Sequence, residues 1–358
     1  MIPFDKHKFD FTMEEIRETA SKRGLLTIEI EFNRTCNYRC PYCYAAGGVT
    51  NVFLDSAKAD EVIHQAKALG ARKIVILGGE PMLYPELKEK IKLITNQISY
   101  IGTKANGEVD LDALKQAVRP DTILISVMAV NNETGTVQPI EKLKEIAPQA
   151  LIHSDCVQAL GKIPLNPNKM QVDLMSFSAH KIHALKGVGA LYVKKSVKLT
   201  PQSHGGNQEG IRSGTMNTPA IAAFGVEAEK IATSGNAMML DLKEKRDYLA
   251  QKLLAEIPEA KINGENSVHI VNVGFDGVRG EVLLHALENV GIYVSTGSAC
   301  TSKSTKISHV LESMGVKQTL AQGSVRLSLS NDTTYEELGA TVSEIQKQVA
   351  FLKRFKRR

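Results

Sequence analysis

Three cysteines, Cys36, Cys40 and Cys43, share one short stretch, while Cys156 and Cys300 stand alone. Thiolates are the soft ligands of iron–sulfur clusters and zinc, and a cubane cluster held by three protein thiolates leaves one iron open to a substrate or cofactor. Structural zinc takes four ligands, and this stretch offers no fourth cysteine or histidine; His64 could reach it only from a following helix. The spacing therefore favours an iron–sulfur cluster, with zinc and unliganded thiols as the alternatives. Five cysteines is an odd count, and Met1 to Phe11 carries Asp5, Lys6, His7, Lys8 and Asp10 where a secretory leader needs an apolar run. A reduced, cytoplasmic protein is expected rather than a disulfide framework.

The chain that positions these groups has 358 residues, 43% of them hydrophobic and 23% charged, which excludes a mostly disordered polymer and suggests about two domains. No apolar run approaches the roughly 18 residues of a membrane span, so no membrane partner is expected. The net charge of +5 is matched by Lys353, Arg354, Lys356, Arg357 and Arg358, so the body is balanced and no nucleic-acid surface is implied.

Apolar periodicity predicts a strand at Leu26–Phe32, a helix from about Leu54 to Leu69, a strand over Lys73–Leu77 and a helix over Pro85–Thr95. The alternation continues with a strand at Ile98–Ile101, a helix at Leu111–Val118 and a buried strand at Thr122–Val127. Further strands fall at Leu151–Ser154, Leu174–Ser178 and Ala190–Val193. Such alternation points to βαβ units and a parallel sheet. From about Pro219 to Ile257 the chain reads as one long helix. The pattern then changes to a strand at His269–Gly274, a helix at Glu281–Asn289, a strand at Ser324–Leu329 and a final amphipathic helix over Tyr335–Phe355.

The stretch RTCNYRCPYCY, followed by LGGEP, resembles the N-terminal part of radical S-adenosylmethionine enzymes. The resemblance implies that Cys36, Cys40 and Cys43 hold a 4Fe–4S cluster whose free iron chelates S-adenosylmethionine. It also implies that Tyr42 lies near the adenine, and that Gly78, Gly79 and Glu80 receive the amino group. It covers only about residues 24–96, a part of the usual barrel.

From about Ile98 to its end the chain resembles the cysteine desulfurases of the class V aminotransferase family, fold-type I pyridoxal-phosphate enzymes. The matching motifs are VNNETGTVQ at 130–138, HSDCVQALGK at 153–162, DLMSFSAHKIHALKGVGALYV at 173–193, RSGT at 212–215, STGSACTS at 295–302 and SVRLSLS at 324–330. The resemblance implies that Lys181 forms the Schiff base with pyridoxal 5′-phosphate, Asp155 pairs with its ring nitrogen and Gln158 bonds its phenolic oxygen. Ser178 and His180 would contact the phosphate, and Thr215 a phosphate of the neighbouring subunit in a homodimer. Asn132 and Arg326 would hold the carboxylate of the L-cysteine substrate. Cys300 would attack the substrate sulfur and keep it as a persulfide, leaving alanine. Cys156 reads as a small buried filler and His183 has no assigned role. The chain departs from the pattern at Ala184-Leu185, where Gly-Pro is usual, and at Asn207, which replaces a glycine. The N-terminal portion of the family pattern, with its phosphate-cradling helix start and ring-stacking histidine, has no counterpart.

The expected architecture is α/β. Residues 1–97 would form a partial radical S-adenosylmethionine (βα) half-barrel. Residues 98–218 would form the incomplete large domain of a fold-type I pyridoxal-phosphate-dependent transferase, and 219–358 its C-terminal α+β small domain with the persulfide cysteine. At the junction, Ile74–Leu77 would pair in parallel with Ile98–Ile101 so that both parts share one sheet. The expected function is desulfurase-like sulfur transfer to a sulfur-acceptor or iron–sulfur scaffold protein, for iron–sulfur or thio-cofactor assembly. The alternatives are a radical S-adenosylmethionine enzyme carrying the remainder as an appendage, and an inactive or scaffolding chimera of two truncated domains.

Overall fold

The computed structural model describes residues 17–19, 21–22, 27–33, 55–69, 73–78, 98–199, 213–297 and 308–355. Contacts divide the chain into two compact units, Met1–Tyr100 and Ile101–Arg358. No helix among the described residues is long and apolar enough to cross a membrane.

In the first unit, β1 (Thr27–Asn33) and β2 (Lys73–Gly78) run parallel, with Thr27 opposite Lys73 and Asn33 opposite Gly78. Between them lies α1 (Ser56–Ala68), started by the Asp55 side chain, which accepts from the Lys58 amide at 3.0 Å. Ala59, Ile63 and Ala66, spaced by four and three residues, form its buried stripe. The expected pairing of Ile74–Leu77 with Ile98–Ile101 is overturned. Residues 98–101 form no strand, Ile98 and Tyr100 are exposed, and β2 is paired with β1. A helix-bearing crossover favours its own two flanking strands as parallel neighbours, and here it joins β1 to β2.

The second unit begins with α2 (Leu111–Ala117), β3 (Leu124–Met128), α3 (Leu143–Ile146), β4 (Leu151–Asp155), β5 (Leu174–Ser178) and β6 (Gly189–Val193). These strands form one sheet in the order β3-β4-β5-β6; the first three are parallel, and β6 returns antiparallel to β5. The apolar run TILISV predicts a buried strand. Instead β3 lies at the sheet edge with only Ile125 of its residues buried, while Leu124 and Met128 are exposed. Ile125, Ile152, Met175, Leu143 and Ala147 lie in the core under this sheet.

Beyond it come α4 (Thr218–Glu256), β7 (Ala260–Asn263), β8 (Ile270–Phe275), α5 (Gly280–Glu288), α6 (His309–Ser313), α7 (Gln318–Gln322), β9 (Ser324–Ser328) and α8 (Tyr335–Leu352). The antiparallel sheet β7-β8-β9 buries every residue of its central strand. Leu249 and Leu253 of α4, Leu283 of α5 and Val342 and Ile345 of α8 share its core. The α8 start is fixed by a capping box between Thr334 and Glu337.

Asp173, at the entry to β5, ties the parallel strands together. Its buried carboxylate accepts from the Ile152 amide at 3.0 Å and pairs with Lys144 at 3.3 Å and Lys194 at 3.2 Å. Burial alone would raise its pKa, but the Ile152 N–H and the two ammonium groups outweigh it and hold the carboxyl below its ordinary value. The carboxylate therefore contributes stability that is present above the ordinary aspartate pKa of about 3.9 and is lost as pH falls through the lower folded value. In urea denaturation at neutral pH, Asp173→Asn should cost about 2 kcal/mol, and the difference from the parent should shrink as pH drops below about 4. An unchanged difference across that range would remove the carboxylate's assigned role.

Candidate active site

The carboxyl ends of β4 and β5 deliver the first group of side chains. Asp155 ends β4, and its Oδ1 accepts from the Val157 amide at 2.9 Å, which turns the chain toward Gln158. Ser178 ends β5, and its hydroxyl lies 2.8 Å from His180 Nδ1. His180 and Lys181 are exposed on the short 3-10 turn Ala179–Ile182. His183 closes that turn in the left-handed region at φ 69°, its amide donating to the Ala179 carbonyl; this is a backbone role for a residue that had none in the sequence. Cys156, next to Asp155, is fully buried as expected of a filler, and burial, with the Asp155 carboxylate beside it, pushes its thiol up to about 11.

The second group centres on loop 131–136. Asn131 shapes it, its Oδ1 accepting from the Glu133 amide at 2.8 Å and the Thr134 amide at 3.0 Å. The loop is then held by the antiparallel sheet. Arg326 Nη1, from β9, donates to the Asn132 carbonyl at 2.8 Å, and Asn272 Nδ2, from β8, donates to the Glu133 carbonyl at 3.1 Å. The Ser308 hydroxyl, capping α6, donates to the buried Glu133 carboxylate at 2.5 Å. Arg326 also exchanges both backbone hydrogen bonds with Ser295, the first residue of STGSACTS.

Around Arg326 the site is cationic and partly buried. Arg326 Nε and His269 Nδ1 are buried with no hydrogen-bond partner among the described residues. Burial lowers the Arg326 pKa, partly offset by the Glu133 carboxylate, and burial also lowers that of Lys162. His269 Nε2 lies 3.2 Å from Gln158 Oε1. Burial first, and then the charges of Lys162, Arg326 and Lys181, bring the His269 pKa down to about 3, so its ring is neutral at physiological pH.

Of the expected residues, Asn132 meets Arg326, Ser178 meets His180, and Gln158 meets His269 beside Lys181 and Arg326. Thr215 is exposed just before α4, and Gly78 ends β2 in the first unit. Cys300, Cys36, Cys40, Cys43, Tyr42, Gly79 and Glu80 lie outside the described residues. Sequence reading missed Asn131, Glu133, Lys162 and His269. The first three stand inside quoted motifs, so their motifs marked them, whereas His269 stands in none.

The residues present fit pyridoxal phosphate and an amino-acid substrate. A lysine and a carboxylate follow the ends of adjacent strands, a hydroxyl and imidazole accompany them, and a half-buried guanidinium keeps a buried Nε without a partner among the described residues.

Gly135 keeps the loop against the second sheet. At φ +76°, a Cβ there would fall 2.0 Å from Ser267 Oγ and 2.9 Å from Ile270 Cβ. Gly291 has a similar φ of +82° with nothing within 4 Å of its Cβ. Gly135→Ala should therefore cost about 3 kcal/mol by denaturation, against about 1 kcal/mol for Gly291→Ala. Equal losses would show that the loop does not pack as described.

A family profile described as aminotransferase class-V matches residues 87–340. A cysteine desulfurase of Gluconacetobacter diazotrophicus is 43% identical over 244 residues, covering 66% of this chain and 61% of the relative. A cysteine desulfurase of Nostoc sp. is 40% identical over 268 residues, covering 72% and 67%. The cysteine desulfurase IscS of Dictyoglomus turgidum is 41% identical over 263 residues, again covering 72% and 67%. The match thus spans between 61% and 67% of these curated relatives. A solved NifS-like protein superposes with a TM-score of 0.66 at 34% identity, covering 82% of this chain and 81% of that one. The NifS-like protein of Rickettsia africae gives 0.64 at 28% identity, covering 73% of each.

Proposed function

We propose that this chain, which belongs to the aminotransferase class-V family, is a pyridoxal phosphate-dependent cysteine desulfurase. The observation that carries the reading is the Arg326 guanidinium, oriented by the Asn132 carbonyl and left with a buried Nε that has no partner among the described residues, while its charge and that of Lys181 both act on His269. A small zwitterionic amino acid offers the carboxylate that this donor lacks.

Lys181 would hold the cofactor covalently and, once released, move a proton at its Nζ; Asp155 would keep the ring nitrogen protonated. Gln158 would bond the ring oxygen, and Ser178 and His180 the phosphate, with Thr215 serving the partner's phosphate in a homodimer. Bound pyridoxal phosphate supplies an electron sink for bonds at the substrate's α and β carbons. Arg326 and Asn132 would orient L-cysteine. In the overall reaction the substrate's C–S bond breaks, its sulfur joins the Cys300 thiol as a persulfide, and alanine leaves. The persulfide would pass to an acceptor or iron–sulfur scaffold protein in the cytoplasm.

The parent chain should form alanine from L-cysteine in stoichiometric or catalytic amounts with excess pyridoxal phosphate. Cys300→Ala should abolish sulfide release, and Lys181→Ala should lose both the bound cofactor's visible absorbance and the activity, by at least about 1,000-fold. Alanine production that survives Lys181→Ala would sink the proposal.

The first unit supports a second reading. Asn33 lies opposite Gly78 across the parallel pair, so CNYRCPYC begins three residues past the end of one strand and Gly79-Glu80 directly follows the other. Cys36, Cys40 and Cys43 would hold a 4Fe–4S cluster, three thiolates leaving one iron open, with Tyr42 and Gly78–Glu80 toward S-adenosylmethionine. Chain reconstituted anaerobically with iron and sulfide should turn brown and lose that colour on Cys40→Ala. Colour retained by the variant would reject the assignment.

A further inference from the structure

His269 immediately precedes β8 and is 4% exposed. Its backbone has little freedom: the Leu329 amide donates to its carbonyl at 2.9 Å, and the following Ile270 amide is tied to the Ser267 hydroxyl at 3.1 Å. The ring is thereby aimed at Gln158, whose Oε1 lies 3.2 Å from Nε2. With that oxygen, an acceptor only, turned to the ring, the hydrogen bond is made by the tautomer protonated at Nε2. Burial and the three neighbouring cations Lys162, Arg326 and Lys181 keep a second proton off Nδ1, which remains a bare acceptor without a partner among the described residues. One neutral tautomer is selected.

The consequence falls on Gln158. A free carboxamide can present either its oxygen or its nitrogen to a ligand, because the two ends are nearly the same shape. With Oε1 turned toward His269, Gln158 directs its amide nitrogen and both hydrogens away from the imidazole ring. A cofactor ring oxygen that carries negative charge needs a donor there. We infer that His269 is a positioning residue: acting from the antiparallel sheet, it fixes the Gln158 carboxamide so that the nitrogen, not the oxygen, faces the pyridoxal phosphate ring oxygen. The inference rests on the reading of Gln158 as a cofactor ligand given above. It also gives the two sheets a joint duty, since Gln158 follows β4 while His269 leads into β8, 111 residues away.

A double-mutant cycle on cofactor affinity tests this, using equilibrium dialysis of pyridoxal phosphate against the full chain freed of cofactor. Gln158→Ala and His269→Leu should each weaken binding about tenfold, the size of one hydrogen bond to a charged group. The double variant should be no more than about twofold weaker than Gln158→Ala alone, because the histidine acts through the glutamine. His269→Gln, whose amide nitrogen can still donate to Gln158 Oε1, should restore binding to within about threefold of the parent. Urea midpoints of cofactor-free His269→Leu and His269→Gln should agree, separating positioning from a structural defect. An additive, roughly hundredfold loss in the double variant overturns the inference, as does His269→Gln binding as weakly as His269→Leu. A parent chain that takes up no pyridoxal phosphate overturns both the proposed function and this inference, whereas normal parental binding with additive losses overturns the inference alone.

Discussion

The Arg326 guanidinium reaches from the antiparallel sheet to the Asn132 carbonyl, and its donor and acceptor are anchored in different hydrophobic cores. Val325 and Leu327 flank the arginine in one core, while Ala129 and Val130 precede the loop in the other. The hydrogen bond survives only while both cores are packed and correctly registered. Asn272, Ser308 and Gly135 repeat the connection at neighbouring points of the same loop, so the contacts form a network in which each member holds the others in place. A cradle assembled this way has little slack and holds the guanidinium at a fixed angle.

The same junction concentrates positive charge, with Lys162 and Arg326 half-buried and Lys181 exposed. Lys162, Lys181 and Arg326 all act on His269, and the nearby Glu133 carboxylate is already engaged by Ser308. Burial lowers the pKa of Lys162 and of Arg326, so holding both of them charged there is unfavourable. An anion placed there would relieve that cost. The neutral imidazole suits this setting because it adds hydrogen-bonding capacity without adding a fourth charge.

Local chemistry made much of this legible in advance. The strands at 151–155, 174–178 and 324–328 and the long helix from 218 to 256 follow from apolar periodicity. The motif residues Asn132 and Arg326, 194 residues apart, do meet. What sequence concealed was set by long-range choices. An apolar run such as TILISV is the same whether its strand is central or at an edge, and only the finished sheet leaves Leu124 and Met128 exposed. The pairing of β2 with β1, rather than with residues 98–101, depends on which neighbour the crossover helix delivers. His269 was invisible because a histidine beside an apolar strand looks the same whether or not a distant glutamine awaits it.

Cys156 occupies the position next to Asp155 with no exposed surface and a thiol whose pKa stands at about 11. At neutral pH the sulfur stays in its unreactive thiol form and is shielded from solvent. Electrophilic labels such as maleimides will therefore pass over this atom while the fold is intact. Its sudden alkylation would serve as an internal alarm that the parallel sheet has come apart.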